Sequence, residues 1–370
     1  MRPFTDERLE RLRDKVQELV RGLPAREAPA DAARFLAGAG LFKLCAPAAF
    51  GGAADDVSPL ALVVAREVLA GAAADCDAAL AVQALAALPV AWAGTKEQRE
   101  RWLPALASGQ EVGAFALTEA GSGSDVGALA TAATPGGDGY RLDGDKVLIS
   151  GARAATMLVV FARTGAAGDK RGVSAFVVPR AAAGLSVEET PNLGGHALAS
   201  VTLAGVRVPA AARLGAEGDG LALALRTLEL MRPTVGAAAC GMAARALEEA
   251  RAFVRARVRG GAPLAEHESV RMKLADMATE LEAARLLVYR AAWLREATAS
   301  GTRLPAEASM AKLFATEAAG RIVDAALQLH GGAGVVSGAV VERLYREVRA
   351  LRIYEGASEI QKLVIARTML

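Results

Sequence analysis

The sequence predicts an α+β fold in three successive regions: helical over residues 1–112, an antiparallel β-domain over 113–215, and helical again over 216–370. Three observations predict it. Apolar residues recur at helical spacing up to about residue 112, short β-branched runs separated by glycine turns fill the middle, and long amphipathic stretches return from about 216. Helices and strands are segregated along the chain, which does not fit a doubly wound sheet with its regular alternation.

The first region opens with a helix expected over residues 5–22, with Thr5 as its cap and Leu9, Leu12, Val16 and Leu19 on one face. In "SPLALVVAREVL" Ser58 stands at the N-cap and Pro59 at the first helical position. In "TKEQRERWLPALASG" Thr95 and Gln98 have the spacing of a capping box. The middle region begins with "GGDGYRLDGDKVLISG", where Gly137–Gly139 and Asp143–Gly144 both read as turns between strands. "TMLVVFART", "GVSAFVVPR" and "SVTLAGVRVP" follow as further strands. The last region carries the long helices of "LALALRTLELMRP", "VRMKLADMATELEAARLLVYRAAWLREA" and "ASMAKLFATEAAGRIVDAALQLH".

Composition narrows the function. With 53% hydrophobic and 23% charged residues the chain has a core to bury and no disordered character. A net charge of +2 leaves no basic footprint for nucleic acid. Cys45, Cys76 and Cys240 lie apart in alanine-rich contexts and read as small buried residues of a reducing compartment. His196, His267 and His330 are equally dispersed, so local spacing assembles no metal site. The charged start "MRPFTDERLERLRDK" lacks the apolar stretch of a signal peptide, and the alanine-rich run at 77–94 reads as a buried helix instead of a membrane span. A cytoplasmic location is expected.

Several stretches carry chemistry. "FALTEAGSGSDVG" (115–127) joins the first region to the β-domain through a glycine- and hydroxyl-rich loop able to approach a flat or phosphorylated ligand, or to serve only as a connector. No helix opens after it, so it is not a dinucleotide fingerprint of the Rossmann kind. "LQLHGGAGVV" (327–336) and "RARVRGGAPL" (255–264) end helices with glycines and arginines, features that helix termination alone also explains. "RALRIYEGASEIQ" (349–361) holds Glu355 after Arg349 and Arg352, either as a surface ion-pair partner or as an acid placed for proton transfer.

In order and spacing these stretches resemble the acyl-CoA dehydrogenase family across nearly the whole chain. The resemblance runs from "EQRERWLPALASGQEVGAFALTEAGSGSDVG" through "DGDKVLISGA", "LAGVRVP", "RLGAEGDGLALAL", "LMRPTVGAAACG", "VRMKLADM", "ASMAKLF" and "QLHGGAG" to "IYEGASEIQKLVIAR". It implies an N-terminal helical domain, a middle β-domain and a C-terminal four-helix bundle, with FAD bound between the last two. Phe115, Leu117, Thr118, Gly123 and Ser124 match the family's loop over the flavin and its ribityl chain, and Ser150 matches a position usually held by Thr beside flavin N5. Arg257 matches the arginine that reaches the pyrophosphate of a neighbouring subunit's FAD. Gln328, Gly331 and Gly332 match the segment holding the ADP half, also across an interface. The resemblance therefore implies a homotetramer.

Glu355 falls on the family's catalytic base, which removes the α-hydrogen of an acyl thioester while the β-hydrogen leaves as hydride to flavin N5. Met231 occupies a rival base position and cannot take a proton. Arg232 beside it matches an arginine near the active site, and a structural ion pair with Glu229 is an equally open role for it. The chain also departs from the family. Leu148 stands where a flavin-packing Trp is common, Gly151 replaces Asn, Gly260 replaces Phe, Glu347 replaces Asp and Ala357 replaces Thr. The implied activity is FAD-dependent α,β-dehydrogenation of an acyl-CoA, with electrons passed to an electron-transfer flavoprotein or another acceptor. Two alternatives are an enzyme acting on acyl-carrier-protein thioesters in a biosynthetic pathway, and a flavin-binding scaffold subunit without turnover.

Overall fold

A computed structural model describes residues 4–21, 31–166, 169, 171–194, 196–299 and 302–370. Residue 22, the last of the helix predicted over 5–22, and residues 1–3 of the charged start lie outside these. In chain order come helices α1 (Glu7–Arg21), α2 (Ala32–Gly38), α3 (Pro59–Ala72), α4 (Ala74–Ala93) and α5 (Lys96–Ser108). Strands β1 (Gly113–Ala116), β2 (Ala132–Gly136), β3 (Gly139–Ser150), β4 (Met157–Arg163), β5 (Val173–Pro179), β6 (Leu185–Glu189), β7 (Leu198–Pro209) and β8 (Arg213–Leu214) follow. The chain continues with α6 (Gly220–Ala256), a two-residue hairpin of β9 (Val258–Arg259) and β10 (Ala262–Pro263), then α7 (Glu268–Ala297), α8 (Pro305–His330), α9 (Val340–Leu351) and α10 (Ser358–Met369). The helix–sheet–helix order is the one the sequence predicts.

Several local signals act where they were read, and two act differently. Pro59 opens α3, and Thr95 with Gln98 forms the capping box of α5. At α1, however, the Asp6 carboxylate accepts the Leu9 N–H at 2.9 Å, while the Thr5 hydroxyl donates to Glu10. An acid at the helix start also suits the macrodipole. The Gly137–Gly139 signal is the β2–β3 turn, but Asp143–Gly144 turns nothing. There β3 runs on, and its register against β7 shifts between Leu142 and Gly144. The glycine marks a bulge inside one long strand.

The chain forms two compact units, which divide it differently from the three sequence regions. One holds residues 31–58 and 78–228, with the sheet at its centre in the order β6-β7-β3-β2-β4-β5-β8. Most neighbours are antiparallel, as predicted, but β1 pairs with β4 in parallel and β2 touches β4 in parallel through Ala132 and Arg163. The forty residues between β1 and β4 provide the crossover a parallel pair needs. Six of the seven residues of β4 are buried, so it lies covered on both faces, whereas β3 and β7 largely alternate. Leu142, Ile149, Val160, Phe176, Val201 and Val206 anchor this core.

The other unit contains α1, residues 59–77 with α3, and everything from Glu229 onward. Its helices pack through small residues. A Cβ on Gly241 of α6 would stand 2.0 Å from the Glu67 carbonyl oxygen of α3, and one on Gly71 would stand 2.9 Å from the Gly241 oxygen. Only glycine permits this approach, so either substitution would force the two helices apart. Cys45, Cys76 and Cys240 are free and buried. Among the described residues, α4 is the helix long and apolar enough to cross a membrane, and 67% of its most apolar window is buried in the fold.

Candidate active site

Glu355 sits in the six-residue link between α9 and α10. Both ends of the link are tied to α8 through Glu317, which accepts from Ser358 Oγ (2.6 Å) and pairs with Arg352 Nη2 (2.7 Å). Arg352 thus spends its charge on Glu317, which answers one question the sequence raised. Glu355 takes a left-handed backbone conformation at φ 54° and Gly356 follows at φ 98°. Leu148 is the other non-glycine residue with positive φ among those described. Such conformations cost free energy in residues with a Cβ and persist where surrounding contacts impose them.

Those contacts converge on two carbonyls. Lys312 Nζ donates to the Gly356 oxygen at 2.8 Å. Gln361 Nε2 donates to the same oxygen at 2.8 Å and to the Glu355 oxygen at 3.2 Å. Arg232 Nε reaches the Glu355 oxygen at 3.4 Å. Of the Glu355 carboxylate, Oε2 is buried and accepts no hydrogen bond. Desolvation pushes the Glu355 carboxyl up to about 7, against the opposing charges of Arg66, Lys312 and Arg232. An acid that titrates near neutrality with a free, buried oxygen is equipped to exchange a proton.

Arg66 is itself fixed. Its guanidinium, 1% exposed, grips Asp77 through two bonds of 2.7 and 2.9 Å and donates to Thr234 Oγ1 at 2.7 Å. The neighbouring candidates resolve differently. Glu229 binds Arg303 Nε at 2.6 Å and accepts the Leu304 N–H at 2.7 Å. Both its oxygens are engaged, and its ion pair is with Arg303, not Arg232. Met231 is fully buried. Glu347, also raised to about 7 by burial, pairs with Arg343 on its own helix at 3.6 Å, so a shifted carboxyl alone does not mark a site here. Sequence reasoning missed Arg66, Asp77, Lys312 and Gln361. Their signal was a charged or amide side chain inside an apolar run, as in "LALVVAREVL" and "ASMAKLFA".

The predicted cofactor residues fall on both units. In the sheet unit, Phe115 lies on β1 with its ring 4.8 Å from that of Phe161, and Leu117 is buried. Lys146 Nζ, buried on β3, donates to the Leu117 oxygen (3.1 Å) and to Glu119 Oε1 (2.7 Å), while the Thr118 oxygen accepts the Val147 N–H at 2.9 Å. Glu119 in turn accepts the N–H groups of Ala130 and Thr131, closing the loop on itself. Desolvation lowers Lys146 to about 8, with Glu119 opposing it. Beyond this clamp Gly121, Gly123 and Ser124 are exposed, and no atom lies within 4 Å of where a Cβ on either glycine would stand. Leu148, at φ 57° and 53% exposed, and half-buried Ser150 lie further along the same strand.

In the helical unit, the rings of Phe253 and His330 lie 4.4 Å apart, bringing the ends of α6 and α8 together. Arg257 follows α6, exposed and without an ion-pair partner among the described residues. Gln328, Gly331 and Gly332 are exposed at the end of α8, with open space about both glycines. Gly260 is one of the two turn residues of the β9–β10 hairpin, at φ 63°, where a Phe would be strained. The loop offers hydroxyl and backbone groups and Arg257 a guanidinium, the kinds of group that a flavin and a pyrophosphate require.

Comparison with known proteins agrees along the full length. The acyl-CoA dehydrogenase N-terminal, middle and C-terminal domains match residues 1–110, 114–206 and 218–370. A 3-(aryl)acrylate reductase of Clostridium sporogenes is 37% identical over 373 residues, covering 100% of this chain and 96% of its own. The mitochondrial short-chain specific acyl-CoA dehydrogenase of Homo sapiens is 39% identical over 346 residues, covering 92% of this chain and 83% of its own. The solved butyryl-CoA dehydrogenase of Megasphaera elsdenii superposes with a TM-score of 0.94 at 30% identity, over 99% of this chain and 98% of that one. The chain belongs to the acyl-CoA dehydrogenase family, flavoenzymes that use FAD to act on the CH–CH bond beside an acyl thioester.

Proposed function

We propose that Glu355 is the base of this enzyme's α,β-dehydrogenation and that its buried, unpartnered Oε2 receives the α-proton of the acyl thioester. The observation that carries this is the combination at one residue: a carboxyl near neutrality, a free buried oxygen and a backbone pinned through two carbonyls. Removing the proton breaks the α-C–H bond and forms an O–H bond on Glu355, leaving the electron pair on the thioester. Bound FAD supplies the acceptor for the β-hydride. Arg66, Lys312 and Arg232 keep the carboxylate accessible at neutral pH, since desolvation alone would push it higher still. Phe115, Leu117, Thr118, Gly123, Ser124, Leu148 and Ser150 would hold the flavin end, and Arg257, Gln328, Gly331 and Gly332 the pyrophosphate and ADP.

The exposed Arg257 and Gln328 support service to a neighbouring subunit's FAD, and hence a homotetramer. An electron-transfer flavoprotein is the acceptor we infer, and the free, buried cysteines support a reducing, cytoplasmic setting. Anaerobic titration of the purified flavoprotein with acyl-CoA and acyl-carrier-protein thioesters tests the reading. Bleaching of the flavin by a saturated acyl-CoA is expected. Bleaching by carrier-protein thioesters alone would move the substrate class, and no bleaching by either would favour a scaffold subunit.

A further inference from the structure

We propose that Lys312 and Gln361 are positioning residues for the base: by holding the Glu355 and Gly356 carbonyls they impose the left-handed turn that presents the Glu355 carboxylate. The inference rests on Glu355 being the base. A left-handed conformation at a residue with a Cβ is costly and needs contacts that over-determine it. Here the two successive positive-φ residues have their carbonyls taken by Lys312 Nζ (2.8 Å) and Gln361 Nε2 (2.8 and 3.2 Å), with Arg232 Nε at 3.4 Å as a longer third contact. Gly356 fits the arrangement closely, since a Cβ there would stand 2.5 Å from Gln361 Nε2.

Neither residue is a cheap way to fill space. Lys312 and Gln361 are both 0% exposed. Burial lowers the Lys312 ammonium to about 8, and its one direct hydrogen bond is to a neutral carbonyl. Gln361 leaves its Oε1 buried and unpartnered while its amide nitrogen serves the link. A methionine or leucine at either place would avoid these desolvation costs, so folding stability alone does not account for them.

Lys312 has a second effect through its charge. The charged groups facing Glu355 are Arg66 on α3, Asp77 on α4, Arg232 on α6 and Lys312 on α8, with the Tyr354 hydroxyl on its own link. Those facing Lys312 are Glu355, Arg232, Glu317 and Glu359. Removing the lysine takes one of three cations from the carboxylate, so the ionised form of Glu355 would appear at higher pH. Gln361 carries no charge, and removing it loosens the link without that shift. The two residues therefore leave different signatures, which a purely structural role would not.

The test uses the FAD-loaded enzyme and single-turnover flavin reduction by butyryl-CoA between about pH 5.5 and 9. Lys312→Met is expected to lower the plateau rate by about 10- to 100-fold, as for a reacting group displaced by a fraction of an ångström, and to move the midpoint of the profile upward. Lys312→Gln keeps a donor, so it should recover part of the plateau rate while retaining the upward shift. Gln361→Leu should lower the rate with the midpoint unmoved. FAD occupancy and thermal unfolding identify any variant that fails to fold, and the remaining ones carry the test. Parent-like plateau rates and midpoints in Lys312→Gln and Gln361→Leu would overturn the inference. If Glu355→Gln abolishes reduction while these variants behave like the parent, only the positioning role fails. If Glu355→Gln reduces its flavin normally, the base assignment fails with it.

Discussion

Lowering the pH should switch off flavin reduction well above the range of an ordinary carboxylate. Glu355 is raised from 4.5 to about 7, chiefly because burial strips water from a carboxylate whose Oε2 has no hydrogen bond to replace it. The active form is the ionised one, so the rate rises with pH through this value. With a midpoint near 7, roughly 3% of the enzyme is ionised at pH 5.5, whereas an ordinary carboxyl would be about 90% ionised there. The second-order rate constant for reduction by a saturated acyl-CoA that bleaches the parent's flavin, which reports the free enzyme, should therefore fall about 30-fold between about pH 8 and pH 5.5. Stopped-flow flavin bleaching under anaerobic conditions measures it, and binding of a non-oxidisable acyl-CoA analogue across the same range separates affinity from chemistry. A rate constant that changes by less than about twofold down to pH 5.5 would refute the claim that desolvation governs Glu355.

Three other perturbations follow from the packing. Asp77→Ala leaves the buried Arg66 guanidinium without its bidentate partner, so unfolding by denaturant should show a loss of about 3–5 kcal/mol. Gly356→Ala must adopt φ near 98° and displace Gln361, so it should destabilise the enzyme by about 1–3 kcal/mol and slow flavin reduction in the same preparation. Arg257→Ala removes an exposed guanidinium without touching the core, so thermal unfolding of the apoprotein should hold while FAD is lost on dialysis. Full flavin occupancy after dialysis would remove Arg257 from the cofactor site.

The sequence displays elements governed by neighbours in the chain and hides those governed by distant ones. Thr95 and Gln98 form a capping box because both partners lie within one helical turn. Asp143–Gly144 reads as a turn because the same dipeptide makes turns and bulges, and only the pairing of β3 with β7 decides between them. The parallel contacts of β4 with β1 and β2 are likewise invisible in patterns that describe single strands. Glu355 was legible as a candidate from its motif, but its environment was not. Arg349 and Arg352, its neighbours in sequence, do not hold it, and the cations that do come from α3, α6 and α8. Lys312 and Arg66 each interrupt an apolar stretch, which is how a buried charge with a specific partner appears in a sequence. The positive φ of Glu355 had no signal at all, since Glu is not a residue that favours it.

The most direct test is single-turnover flavin reduction by Glu355→Gln. Glutamine keeps the size and hydrogen-bonding capacity of the side chain and removes the proton acceptor, so FAD occupancy, thermal unfolding and binding of a non-oxidisable acyl-CoA should survive. Flavin reduction by a saturated acyl-CoA that bleaches the parent should fall by roughly 10²–10⁴-fold, the loss typical of a missing general base, with the defect in reduction and not in reoxidation. A variant that binds FAD and acyl-CoA normally and bleaches its flavin at the parent rate would contradict the assignment, and the proton would have to leave by another group.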